Sequence, residues 1–216
     1  IYTITFNPAV DLVIQVQNCQ LGALNRSKGE EYVAGGKGIN MSIVLKRLGV
    51  DNIATGFLGG FSGKFIEEFL EKEGITSQFI SVEGTTRINV KVKGKVETEI
   101  NAAGPIVLAE KFQQLVRYLE DNLQEEDIVF LAGNAAPGLD ETSYVEIAKI
   151  CHARGTKLVL DTTKASLLAC LPYRPFIIKP NQHELEELFE VNIQTQEEII
   201  NYAFQLQGKG ARNVLI

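Results

Sequence analysis

The chain has 216 residues, of which 45% are hydrophobic and 22% charged, a balance that fits a globular protein with one substantial core. Its net charge of −6 argues against a nucleic-acid partner, because phosphate contacts need clustered Lys and Arg. No apolar run reaches the roughly 18 residues of a membrane span. Three scattered cysteines, Cys19, Cys151 and Cys170, with no CxxC pair, read as reduced thiols of a cytoplasmic protein.

Taken in chain order, short apolar segments alternate with amphipathic ones. Strands are expected at 2–6, 52–58, 127–132, 157–161, 175–178 and 212–216, and helices at 39–48, 63–73, 108–122, 141–153, 181–189 and 196–207. Gly49, Gly74 and Gly155 follow three of these helices as C-terminal stops. Continuous apolar runs such as Ile128-Val129-Phe130-Leu131-Ala132 suit a parallel sheet buried on both faces. The expected fold class is therefore α/β, a doubly wound, mostly parallel sheet. Residues 12–17 and 28–33 read as strands with no helix between them. Residues 87–100 read as a hairpin turning at Gly94-Lys95. These segments, about 12–33 and 87–100, are expected to form a small separate sheet serving as a lid or as a dimer surface. Val214-Leu215-Ile216 reads as the start of a buried strand, so a C-terminal portion is expected beyond residue 216.

Gly35-Gly36-Lys37-Gly38-Ile39-Asn40 leads straight into the helix at 39–48. Glycines let a ligand approach the backbone, the helix start offers free N–H groups, and Lys37 and Asn40 add a cation and a carboxamide. The loop is neither a Walker A motif, since Glu31 and Gly38 occupy its key positions, nor a dinucleotide fingerprint, which wants glycine where Met41 stands. Ligands of open α/β sheets bind beyond the carboxyl ends of the strands. There this chain places Asn7 and Asp11, Gly59-Gly60, Gly133-Asn134, Asp161-Thr162-Thr163 and Lys179-Pro180-Asn181. Five polar or glycine-rich segments at one edge favour a polar site. Asp11 fits either a hydroxyl acceptor or a solvated turn residue, and Arg87 either a phosphate grip or a surface charge. Asn181 with Glu184 is equally the signature of a capping box, a pattern repeated at Thr195 and Glu198.

Together, Asn7-Pro8-Ala9-Val10-Asp11, Asn25-Arg26, Ala34 to Asn40, Gly56 to Gly60, Thr86 to Lys91, Glu97 to Asn101 and Lys179 to Leu185 resemble, in order along the whole chain, the ribokinase/PfkB sugar-kinase family. The resemblance implies ATP-dependent phosphorylation of a sugar phosphate, with Mg2+, in a homodimer joined through the lids. Within the family, the strand at 85–91 points to fructose 1-phosphate ahead of tagatose 6-phosphate. By the same resemblance Asp11, Gly36 and Asn40 would hold sugar hydroxyls, with Asn89 and Asn134 beside them. Lys37 and Arg87 would bind the sugar's phosphate, with Arg26 contributing from the lid. Lys179, Asn181 and Glu184 would lie toward the nucleotide and magnesium. Gly133-Asn134-Ala135-Ala136-Pro137 departs from the family's Gly-Ser-x-Pro segment. The family's Gly-Ala-Gly-Asp signature, which carries the general base, has no match in residues 1–216, so no catalytic residue is assigned and the base is expected beyond Ile216. A non-catalytic phosphosugar-binding protein is the rival expectation.

Overall fold

In the computed structural model, residues 1–162 and 164–216 are described; Thr163, expected at the carboxyl end of a strand, lies outside them. Seven strands form the main sheet: β1 (Tyr2–Thr5), β4 (Ile53–Leu58), β5 (Thr76–Ser81), β8 (Ile128–Ala132), β9 (Lys157–Asp161), β10 (Ile177–Ile178) and β11 (Asn213–Val214). Their order is β11-β10-β9-β8-β1-β4-β5, and every pairing among them is parallel. From β1 the chain builds first toward β4 and β5, then toward β8 on the other side. The β1/β8 boundary is thus the switch point where an open α/β sheet leaves a crevice.

Helices cover both faces of this sheet. Tyr2 and Ile4 of β1 enter a core built with α3 (Ala109–Asn122) and α4 (Glu141–Arg154), containing Phe112, Leu115, Leu119, Tyr144 and Ile147. Thr3 and Thr5 alternate to the opposite face, where Thr3 Oγ1 lies 2.5 Å from Ser42 Oγ on α1 (Lys37–Arg47). On that side Ile39 and Ile43 join Ile66 and Leu70 of α2 (Gly60–Lys72). The remaining helices are α5 (Lys164–Cys170), α6 (Gln182–Phe189) and α7 (Gln196–Gly208). Among the described residues no helix is long and apolar enough to cross a membrane.

A second, four-stranded sheet has the order β3-β2-β6-β7, from β2 (Ala9–Gln15), β3 (Gly29–Gly35), β6 (Arg87–Lys93) and β7 (Thr98–Ile100). β2 pairs antiparallel with β3 and parallel with β6, and β6 pairs antiparallel with β7. Its proximal end is seated by Val10, Ala34 and Ile88 on the α2 side of the core. Register carries one row across all four strands, Tyr32, Leu12, Val90 and Ile100, and there Tyr32 is 51% and Ile100 62% exposed.

Three differences from the sequence expectation have local causes. β2 starts at Ala9, three residues earlier than expected, because Ala9 and Val10 pair with Gly35 and Ala34 directly before the glycine loop. β5 was not expected at all: four of its six residues are Thr, Ser or Gln, as suits a half-covered edge strand. α5 is only seven residues long, too short for a periodic pattern to register.

Candidate active site

The glycine loop at the end of β3 turns straight into α1. Gly36 takes φ 117° and ψ 142° as N-cap, a backbone setting that glycine alone adopts without strain. No side chain caps this helix, so its first N–H groups remain available beside the crevice. Lys37, Gly36 and Asn40 line a cleft of about 450 Å³ together with Thr5 and Asn7 after β1, Gly133 and Asn134 after β8, and Asp11, Arg87, Asn89, Lys91, Glu99 and Asn101 from the second sheet. One wall therefore belongs to the main sheet and the other to the small one. Its lining holds three cations, Lys37, Arg87 and Lys91, against two carboxylates, Asp11 and Glu99.

Strand alternation explains the second wall. Arg87, Asn89 and Lys91 share one face of β6, and Asp11 stands opposite Asn89 in register. Asn89 donates from Nδ2 to Asp11 Oδ1 at 3.0 Å, and Lys91 Nζ sits 2.9 Å from Asp11 Oδ2. The Lys91 ammonium is held above the ordinary lysine value, first by that bond to Asp11 and further by the charges of Asp11, Glu99 and Glu97 against the opposing cost of burial. Asp11 is therefore clamped from two sides, with lone pairs left to accept hydroxyls. Arg87 donates from Nε to the Asn7 carbonyl at 3.1 Å, which fixes the guanidinium and leaves its terminal nitrogens for an anion. Burial lowers the Arg87 pKa, an effect the Asp11 charge opposes. Asn7 in turn donates to the carbonyls of Ala103 and Ala135 and so ties the segment after β7 to the loop after β8.

Lys37 also lines a second, adjoining cleft of about 610 Å³ with Asn40, Met41, Val44, Phe130, Asp161, Lys179 and Asn181. Its ammonium is 2.9 Å from Asp161 Oδ1. The structure thus brings Asp11, Gly36, Lys37, Asn40, Arg87, Asn89 and Asn134 into one cleft, and Lys179 and Asn181 into its neighbour. Arg26 lies elsewhere, exposed in the loop 16–28 that joins β2 to β3. Asn181 Oδ1 accepts from the Glu184 N–H and Glu184 Oε2 accepts from the Asn181 N–H, both at 2.8 Å, so these two residues form the capping box that their spacing also allowed. Thr195 and Glu198 do the same on α7. Sequence reasoning gave no site role to Thr5, Lys91, Glu99 and Asn101, and placed Gly133 only among the polar strand-end segments. The signal for Lys91 was present in the alternation Arg87, Asn89, Lys91.

With this geometry in view, the sequence comparison is decisive: the model of the pfkB family carbohydrate kinases matches residues 4–216. The chain belongs to the pfkB family of carbohydrate kinases. Kinases of this family imply ATP as the phosphoryl donor. Over its full length the chain is 43% identical to a 1-phosphofructokinase of Bacillus subtilis, covering 71% of that protein. It is 39% identical to a D-tagatose-1-phosphate kinase of Bacillus licheniformis, again with all of this chain and 71% of the relative aligned. A crystal structure of a candidate phosphofructokinase from Staphylococcus aureus superimposes with a TM-score of 0.85 at 45% identity, over 99% of this chain and 69% of the other. Phosphofructokinase-2 of Escherichia coli, at 21% identity, shares the ribokinase-like fold with a TM-score of 0.91 over 99% of this chain and 72% of that one.

Proposed function

We propose that this pfkB-family protein is a 1-phosphofructokinase, using ATP to convert fructose 1-phosphate to fructose 1,6-bisphosphate. The observation that carries the reading is the first cleft, where a two-sided carboxylate clamp, a helix start and three cations converge. Asp11, Asn40, Asn89 and the Gly36 backbone present acceptors and donors suited to sugar hydroxyls, with the Asn134 carboxamide at the opposite rim. Arg87 and Lys37 take the existing phosphate, Arg87 through its planar fork and Lys37 as a point charge. Arg26, exposed on the small sheet's loop, contributes only across a subunit boundary. Phosphoryl transfer of this kind asks a protein mainly for positioning and charge neutralisation.

ATP is assigned to the second cleft, toward Lys179, Asn181 and Asp161. Among the described residues no group of three or more His, Cys, Asp or Glu is arranged to cage a metal. That donor set fits Mg2+ carried by nucleotide phosphates with one carboxylate, Asp161, at hand, whereas Glu184 is engaged in its cap. When bound, Mg2+ supplies neutralisation of phosphate charge. The small sheet acts as a lid, and its apolar row of Tyr32, Leu12, Val90 and Ile100 is the surface through which a homodimer pairs. The proposal includes a cytoplasmic place of action, as suits a kinase that draws on ATP and a phosphorylated sugar.

A second reading rests on the tagatose-phosphate kinase at 39% identity: the same cleft accepts tagatose 1-phosphate, or tagatose 6-phosphate with the phosphate end reversed. Coupled kinetics on the three sugar phosphates, with calorimetric binding of each, test the proposal. The expected result is the highest kcat/KM with fructose 1-phosphate. A higher value with either tagatose phosphate overturns the substrate, and tight binding without turnover favours the non-catalytic phosphosugar-binding protein.

A further inference from the structure

We infer that Lys37 is a contested cation: Asp161 holds its ammonium, the phosphate of the sugar must take it away, and Asp161 thereby sets phosphosugar affinity as a positioning residue. The inference rests on the proposed function and concerns how the same site is tuned. Lys37 lines both clefts and opens α1. Its Nζ is 2.9 Å from Asp161 Oδ1, and the Asp161 side chain is only 8% exposed whereas that of Lys37 is 47% exposed. Asp161 ends β9 and is anchored there, its carbonyl accepting from the Gly133 N–H at 3.0 Å. The mobile partner is therefore the lysine, a compact charge on a flexible stem.

The two phosphate-facing cations differ in what they leave behind. Arg87 is braced by a neutral carbonyl through Nε, so its terminal nitrogens reach an anion without breaking an ion pair. Lys37 lines the first cleft while its ammonium is held by Asp161, so full engagement with a phosphate there draws it away from Asp161. That departure strands a nearly buried carboxylate, and breaking such a pair is costly because the remaining charge is poorly solvated. The cost is subtracted from phosphosugar binding. Removing the Asp161 charge while keeping its shape should therefore tighten binding in a cleft that Asp161 does not itself line.

The test is a double-mutant cycle read by calorimetry with fructose 1-phosphate. Asp161→Asn is expected to bind about three- to tenfold more tightly than wild type, the span between an exposed and a desolvated ion pair. In the Lys37→Ala background the same substitution is expected to leave Kd within about twofold. No gain in Asp161→Asn, or an equal gain without Lys37 (a general field effect), overturns the inference while leaving the function intact. Failure of wild type to bind the sugar overturns both. Should Asp161→Asn fold poorly, the wild-type side-chain ammonium resonance of Lys37, assigned with Lys37→Arg, gives a second readout. It must change its hydrogen-bond signature as fructose 1-phosphate is added, and a resonance unaltered at saturation refutes the exchange.

Discussion

Replacing Arg87 by alanine gives the sharpest test of the proposed cleft. Its Nε bond to the Asn7 carbonyl, 3.1 Å long, aims the guanidinium at the cavity, so truncation removes both the cation and its aim. Hydrogen bonds to charged groups contribute about 1.5–3 kcal/mol, which corresponds to a loss of about 10- to 150-fold in affinity. The fold should tolerate the change. Asn7 is buried but lines the cleft, and the space vacated by the arginine can admit water to its freed carbonyl, so the expected stability cost is about 1 kcal/mol, a shift of about 2–4 °C in Tm for a chain of this size. Arg87→Lys keeps the charge but loses the two-pronged geometry and is expected to recover part of the loss. Calorimetry with fructose 1-phosphate, alongside thermal melts, separates binding from folding. Wild-type affinity in Arg87→Ala at unchanged Tm would show that the phosphate lies elsewhere.

Three further predictions concern the frame around the cleft. Gly56 adopts φ 139° opposite Thr5 in the β1/β4 register, and a Cβ there overlaps the Thr5 carbonyl oxygen; Gly56→Ala is expected to lose at least about 3 kcal/mol in denaturant unfolding, and a near-neutral result would contradict the close approach of these strands. Burial pushes the Cys151 and Cys170 thiols up to about 11 and about 12, whereas Cys19 is exposed. A thiol reagent at neutral pH should therefore modify one cysteine in the native protein and all three only after denaturation. Lys91 has its folded pKa raised by Asp11, so the pair's stabilisation is full below the unfolded lysine value of about 10.4 and is lost as pH rises through the folded one. Lys91→Met should show a flatter decline of Tm across that alkaline range, and identical slopes would mean that the pair contributes nothing.

The cleft's main-sheet wall was readable in the sequence because Gly35-Gly36-Lys37-Gly38 combines backbone freedom with a lone cation in front of an apolar helix, and because polar or glycine-rich segments end the neighbouring strands. Alone, the loop fits a tight turn with a solvated lysine equally well. The second wall was only half readable. Arg87 and Asn89 stood out, but Lys91 and Glu99 looked like ordinary charges on an exposed hairpin. Only the register of β2, β6 and β7 reveals that they share the cleft face with Asp11. Asn181 and Glu184 show the opposite limit: their spacing serves a helix cap, and no local pattern distinguishes a cap from a ligand-facing pair. The Lys37–Asp161 contact spans 124 positions and joins the start of α1 to the end of β9, which only the folded arrangement brings together. β5 escaped because edge strands need no continuous apolar run.

The two walls of the cleft have unequal foundations. The main-sheet wall grows from strands packed on both faces, while the small sheet is seated chiefly at its proximal end by Val10, Ala34 and Ile88, with Tyr32 resting against Phe65 of α2. Asp11, Arg87, Asn89 and Lys91 all ride on that lightly anchored piece, whereas Lys37, Asn40 and Asn134 do not. On the proposed function, substrate preference becomes largely separable from the scaffold: the cleft-facing side chains of two short strands can be exchanged while Val10 and Ile88 keep their seats in the core. A lineage, or a protein engineer, searching for a new sugar phosphate has in this sheet a small, tolerant region in which to look.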